Sequence, residues 1–158
     1  MLNKKKSLTG FTLIELMIVI ALIFMFSGLT LPVGFNFYQE STLKDQARNL
    51  ENSLRKAQAM AMTGRGDSNA GVKIKIEERQ YIIFEGESYE KSREDMTIPL
   101  PIALSINGPE EIVFQKTTGL PIIPEEKPII ITLTFGSNSQ EININSQGKI
   151  ERYEPVKQ

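Results

Sequence analysis

The chain has 158 residues, with 18 Lys plus Arg against 19 Asp plus Glu, and it contains no Cys, His or Trp. The length suits one domain of ordinary size. Without Cys there is no disulfide framework, thiol nucleophile, thiolate metal site or Cys-linked lipid. Without His, histidine–zinc chemistry and serine–histidine–aspartate catalysis are excluded. A formal charge of −1 carries no general signal for nucleic acid. The mean hydropathy of −0.17 is unremarkable, but it averages over a very uneven chain.

Residues Phe11–Leu31 read FTLIELMIVIALIFMFSGLTL, 21 residues whose only charge is Glu15. At about 1.5 Å per residue such a helix spans roughly 30 Å, the hydrocarbon thickness of a bilayer. Lys4, Lys5 and Lys6 precede it, and positive charge on that side holds that end in the cytoplasm. A secretory signal peptide has a shorter apolar core, about 7–15 residues, and a small-residue cleavage site that this run lacks. A plain signal anchor stays open on these grounds. A carboxylate inside such a helix costs on the order of 2.5–3.5 kcal/mol, which makes Glu15 a functional candidate. The competing account is a Glu that snorkels toward the cytoplasmic face.

The junction KKKSLTGFTLIELMIVI resembles the class III signal of type IV pilins and type II secretion pseudopilins. That resemblance implies a leader over residues 1–10, removed by a prepilin peptidase that cuts between Gly10 and Phe11. It implies N-methylation of Phe11, a transmembrane helix over 11–31, and Glu15 as the fifth residue of the mature chain. It further implies assembly through Phe11 and Glu15, with Glu15 meeting the positive N-terminus of a neighbouring subunit. Gly10 suits a protease cleft because it has no side chain. Losing the leader deletes three lysines and carries the formal charge from −1 to −4.

An amphipathic helix is expected to continue over 32–64. Pro32 removes a backbone hydrogen bond, so a kink or local melting is expected there. Beyond it Leu43, Ala47, Leu50, Leu54, Ala57 and Ala61 recur at alternating spacings of four and three, a helical stripe that packs as core. Gly64 is a fair C-cap.

From 71 to 158 the period becomes that of strands. Val72, Ile74 and Ile76 alternate with lysines, Glu77–Gln80 turns the chain, and Tyr81–Phe84 follows as a second strand. The polar run Glu85–Asp95 reads as a loop. Ile98–Ile102 is extended but kept off a central position by two prolines. Short strands are expected around Leu104 and Ile106 and at Ile112–Phe114, with Thr117–Lys127 irregular. Pro128–Phe135 is the clearest strand, with Ile129, Ile131, Leu133 and Phe135 on one face. Glu141–Asn145 and Lys149–Tyr153 complete a meander. The predicted fold class is therefore α+β: a long N-terminal helix, membrane-spanning in its first half, packed on an antiparallel sheet.

The order Phe114, Gly119, long strand, Gly136, short strand, Gly148-Lys149-Ile150 is similar to that of GspH/FimT-type minor pseudopilins, and Leu50–Thr63 resembles their helix. The resemblance implies a structural subunit, not an enzyme, with no cofactor and no metal. The expected role is a minor pilin or pseudopilin of a type IV pilus or type II secretion system, at or near the filament tip. It would sit single-pass in the cytoplasmic membrane, N-terminus inside and globular domain outside, and then in the filament. The implied partners are the prepilin peptidase, other pilins or pseudopilins, an inner-membrane assembly platform and membrane lipid. Other candidates are weaker. Arg65-Gly66-Asp67 reads as a chance tripeptide beside a helix cap. Asp67-Ser68-Asn69 lacks the alternating acids of a calcium loop. Glu85, Glu87, Glu90, Glu94 and Asp95 read as a solvated loop or a docking surface. A DNA-uptake minor pilin is the alternative function, but DNA is not the expected partner: Lys149, Arg152 and Lys157 sit among Glu151 and Glu154, and Arg48, Arg55, Lys56 and Arg65 read equally as helix-surface charge.

Overall fold

The structure, a computed structural model, describes residues 10–63, 68–122 and 127–153, apart from the side chains at 28–34 and 94–95. One helix, α1 (Leu13–Thr63), precedes eight strands: β1 (Ala70–Lys75), β2 (Gln80–Glu85), β3 (Arg93–Pro99), β4 (Leu104–Asn107), β5 (Glu111–Phe114), β6 (Ile129–Phe135), β7 (Asn138–Ile144) and β8 (Ile150–Tyr153). The chain divides into two units, Met1–Tyr38 and Gln39–Gln158.

In the first unit the backbone stays helical through Pro32, so the expected melting does not occur. A proline removes only one bond of the helical ladder, and the turns on either side hold the rest. The side chains from Phe11 to Phe26 point outward all round, and Phe35, Phe37 and Tyr38 are exposed as well. Among the described residues no helix is long and apolar enough to cross a membrane.

The second unit is built on the stripe. Leu43, Ala47, Leu50, Leu54, Ala57 and Ala61 are all buried and enter one core with residues from seven of the strands. The antiparallel strands form two four-stranded sheets, ordered β3-β2-β1-β5 and β4-β6-β7-β8, where a single sheet is the simpler expectation from the sequence. Pro99 and Pro101 lie where β3 ends. Proline cannot donate to a ladder, and the chain leaves the first sheet after β3 and re-enters in the second as β4. The meander β6-β7-β8 forms as expected, and Phe135 pairs with Asn138 around Gly136-Ser137.

Glu85–Asp95 is the element the sequence misplaces. It holds a 3-10 turn at Tyr89–Lys91 and the beginning of β3. Ile82 and Phe84 are buried on the face of β2 away from the main core. The Tyr89 ring meets Phe84 edge-on at 5.9 Å, and Lys75 Nζ lies 4.9 Å from the Tyr89 ring centre. Gly71 makes room for the Phe84 ring, since a Cβ there would lie 2.8 Å from it. The whole run Tyr81–Phe84 is therefore buried on both faces of the sheet.

The loops meet α1 at glycines. Gly119, Gly136 and Gly148 have φ of 66°, 62° and 76°, a region costly for residues with a Cβ. A Cβ on Gly119 would meet Met62, one on Gly136 would meet Gln39, and one on Gly148 would meet Gln58. Gln58 Nε2 donates to the carbonyls of Gly119 (2.9 Å) and Gly148 (2.8 Å). Thr117 N–H donates to the Ala61 carbonyl (3.0 Å), satisfying one of the open carbonyls at the helix end.

Leu54→Ala is expected to lower stability by about 2–5 kcal/mol, because it opens a cavity under both sheets. Ile130→Ala, at an exposed position, is expected to stay within about 0.5 kcal/mol. Thermal unfolding of the detergent-solubilised protein compares the two. Tyr81 gives a pH test. Burial pushes its phenol above the usual range, and its hydroxyl has no well-formed hydrogen bond. The fold thus keeps the neutral form, and the stability this gives is full below the ordinary tyrosine pKa and lost as pH rises through the raised one. Tyr81→Phe should be nearly neutral at pH 7 and should shift alkaline unfolding to higher pH, as read by circular dichroism.

Candidate functional site

The residues expected to matter for processing and assembly lie together at the start of α1. Gly10 stands in open space: a Cβ added there would find nothing within 4 Å. Its φ is not in the positive region that favours glycine, so the fold of this chain makes no demand for glycine at that position. Phe11 is 83% exposed. Glu15 sits in the first helical turn.

Thr12 is the residue the sequence reading missed. Its Oγ1 accepts the Glu15 N–H at 3.3 Å, and its carbonyl accepts the Leu16 N–H at 3.2 Å. Thr12 is thus the N-cap, and Glu15, the third helical residue, stands where the S/T-x-x-E sequence pattern places its acid. The pattern T-L-I-E before an apolar run was the available signal. It gives Glu15 a local role beside the assembly role. A carboxylate in the first turn also complements the positive end of the helix dipole.

The weaker candidates resolve differently. Gly64, Arg65, Gly66 and Asp67 lie outside the described residues, as do Glu154 and Lys157. Asn69 Oδ1 accepts the Lys116 N–H at 2.8 Å, so this oxygen fixes a loop. Among the described residues no group of three or more acids could hold a metal ion. Three of the candidate DNA-binding cations, Arg55, Lys149 and Arg152, are engaged elsewhere. Arg55 pairs with Glu51 at 2.9 Å and donates to the Ile150 carbonyl at 2.7 Å. Arg152 lies 3.7 Å from Glu51 and donates to the Lys44 carbonyl. Lys149 pairs with Glu151; that hydrogen bond raises the Lys149 pKa, and it lowers that of Glu151 with help from Tyr153.

Residues 6–31 match the family model of the prokaryotic N-terminal methylation motif. Two solved structures of the minor pseudopilin EpsH from the type II secretion system of Vibrio cholerae share the fold. One matches with a TM-score of 0.57 and 12% identity, covering 73% of this chain and 98% of EpsH. The other gives 0.57 and 11%, covering 75% and 97%. The motif is that of prokaryotic N-terminal methylation, and the fold is similar to that of the minor pseudopilin EpsH. No curated protein matches by sequence. Gly10, Phe11 and Thr12 immediately precede α1, and Glu15 lies in its first turn.

Thr12→Ala should fray the first turn by about 1 kcal/mol. Hydrogen exchange of the Glu15 amide in detergent micelles is then expected to quicken by about fivefold, with the β-strand amides unchanged.

Proposed function

We propose that this chain is a minor pilin or pseudopilin subunit of a type IV pilus or type II secretion system, a structural part and not an enzyme. The observation that carries the proposal is the coincidence, in one chain, of the methylation motif over residues 6–31 with the EpsH fold. The Phe11–Leu31 helix inserts in the cytoplasmic membrane with the N-terminus inside and the globular domain outside. The prepilin peptidase removes residues 1–10, Phe11 is N-methylated, and the subunit enters the filament at or near its tip. Other pilins or pseudopilins, the inner-membrane assembly platform and membrane lipid are its partners.

The chemistry of the site supports each step. A cut after Gly10 creates an ammonium one residue before the N-cap, at the positive end of the helix dipole, where a cation is disfavoured. A carboxylate brought near it relieves that, and Glu15 of a neighbouring subunit supplies one inside a low-dielectric bundle where the pairing is strong. Free in lipid, the same carboxylate is costly. The pairing therefore favours the polymer over the monomer.

Gly10→Leu should leave the fold intact and abolish cleavage, so that the intact mass retains residues 1–10. Wild-type protein should begin at Phe11 with one added methyl; a mature chain that still begins at Met1 beside an active peptidase overturns the proposal. Glu15 requires two variants. Glu15→Gln keeps the side chain's shape and removes the charge, whereas Glu15→Ala removes both. Both should insert in the membrane and fail to enter filaments. Normal assembly of Glu15→Gln would leave Glu15 with only its role at the helix start.

A further inference from the structure

Phe35, Phe37 and Tyr38 are 60%, 74% and 60% exposed within one turn of α1, at the end of the first unit. Water disfavours three aromatic rings there, and the polar neighbours Asn36, Gln39 and Glu40 disfavour hydrocarbon. The rings do not belong to the buried stripe. Carried back from Leu43 by its own spacings of three and four, the stripe falls on Glu40 and Asn36. At about 100° per residue the three rings instead occupy an arc of about 160°, with Asn36 on the opposite side. Height places the arc. Leu13 opens α1, and Phe35 and Tyr38 stand 22 and 25 residues beyond it. At about 1.5 Å per residue those positions lie about 33 and 38 Å along the axis. A bilayer has about 30 Å of hydrocarbon and about 40–45 Å with both headgroup layers, so its outer headgroup layer lies about 30 to 37 Å from the inner edge of the hydrocarbon. Helical side chains also lean back toward the N-terminus, which lowers the rings toward the middle of that layer. Between Pro32 and Leu43 the sole charged residue is Glu40, so no Lys or Arg is available to anchor the helix at this level.

We propose that Phe35, Phe37 and Tyr38 form an interfacial anchor that beds in the headgroup layer of the outer leaflet and fixes the height and tilt direction of α1. Aromatic rings suit that layer because their bodies are apolar and the tyrosine hydroxyl stays in contact with water. An arc, in place of a full belt, supplies direction. A helix that leaves a bilayer at a tilt has one face nearer the lipid, and the arc marks that face. A neighbouring copy is the weaker fit. A seam between two helices is a narrower stripe at spacings of three and four, and Phe37 stands off the row that Phe35 and Tyr38 share. The anchor rests on the membrane insertion proposed above.

The chain contains no Trp, so a single introduced Trp reports its own depth. The test uses the full-length chain in phosphatidylcholine nanodiscs that hold one subunit each, so that no neighbouring copy can stand in for lipid. The acyl chains carry bromine, a contact quencher, either near the headgroup or near the chain end. Tyr38→Trp is expected to be quenched about twofold more by the shallow bromine than by the deep one. Phe24→Trp should show the reverse order, and Tyr153→Trp, in the outer unit, should respond to neither. Adding Phe35→Ser and Phe37→Ser to Tyr38→Trp should cut its shallow quenching by about half, with quenching of Phe24→Trp by the deep bromine retained in the same background. Absent or mainly deep quenching at position 38, equal quenching at 38 and 153, or a serine pair without effect overturns the anchor. The two readings fail separately. Deep quenching at 24 with none at 38 defeats the anchor alone, and shallow quenching at 38 with none at 24 defeats the insertion alone.

Discussion

The outer unit depends on one constraint: a narrow helical stripe must be covered from two directions. Leu43, Leu50 and Leu54 supply the volume, while Ala47, Ala57 and Ala61 let the neighbouring backbones come close. Every residue of the stripe is buried, so neither sheet can shift along the helix without exposing part of it. Close approach then dictates what the loops contain. Where Gly119 and Gly148 run past α1 there is no room for a Cβ, and the Gln58 amide donates to both carbonyls at once. One side chain thereby fixes two loops that lie 29 positions apart in sequence. The glycine order that resembles GspH/FimT-type chains has its physical reason in this crowding.

Much of this was legible, because period carries most of the information when one face is buried. The stripe from Leu43 to Ala61, the alternation of Ile131, Leu133 and Phe135, and the meander that follows were all readable from spacing. Three features were not. The split into two sheets depends on where β4 pairs, which is a long-range choice that no local pattern contains. Glu85–Asp95 looked solvated because nine of its eleven residues are polar or charged, yet the Tyr89 ring packs edge-on against Phe84. Arg79 read as one charge in a turn, because nothing in its neighbours announces a positive φ or three carbonyl partners 22 to 25 residues away. At the candidate site, Gly10, Phe11 and Glu15 were readable from the motif. Thr12 was readable in principle as an N-cap but was overshadowed by the charge of Glu15.

The N-cap changes how that acid should be understood. An acid in an apolar run invites the inference that it exists for a partner. Its position here, three residues after Thr12, also makes it the residue that a helix start favours. The two roles do not compete for the same atoms. The cap uses the Glu15 backbone N–H, which leaves the carboxylate available to another chain. A helix that begins firmly at Leu13 also holds that carboxylate at a fixed height relative to Phe11, and a fixed height is what pairing between parallel subunits requires.

The two units thus treat apolar surface in opposite ways. Along Phe11–Phe26 the apolar side chains are many and exposed, suited to a solvent or bundle that accepts any of them. In the loop between β3 and β4 one guanidinium, that of Arg79, donates to the carbonyls of Pro101, Ile102 and Leu104, and the segment it holds carries Leu104 into the core and Leu100 against it. The first pattern suits non-specific apolar surroundings, where area decides the energy. The second serves a close-packed core, where position decides it.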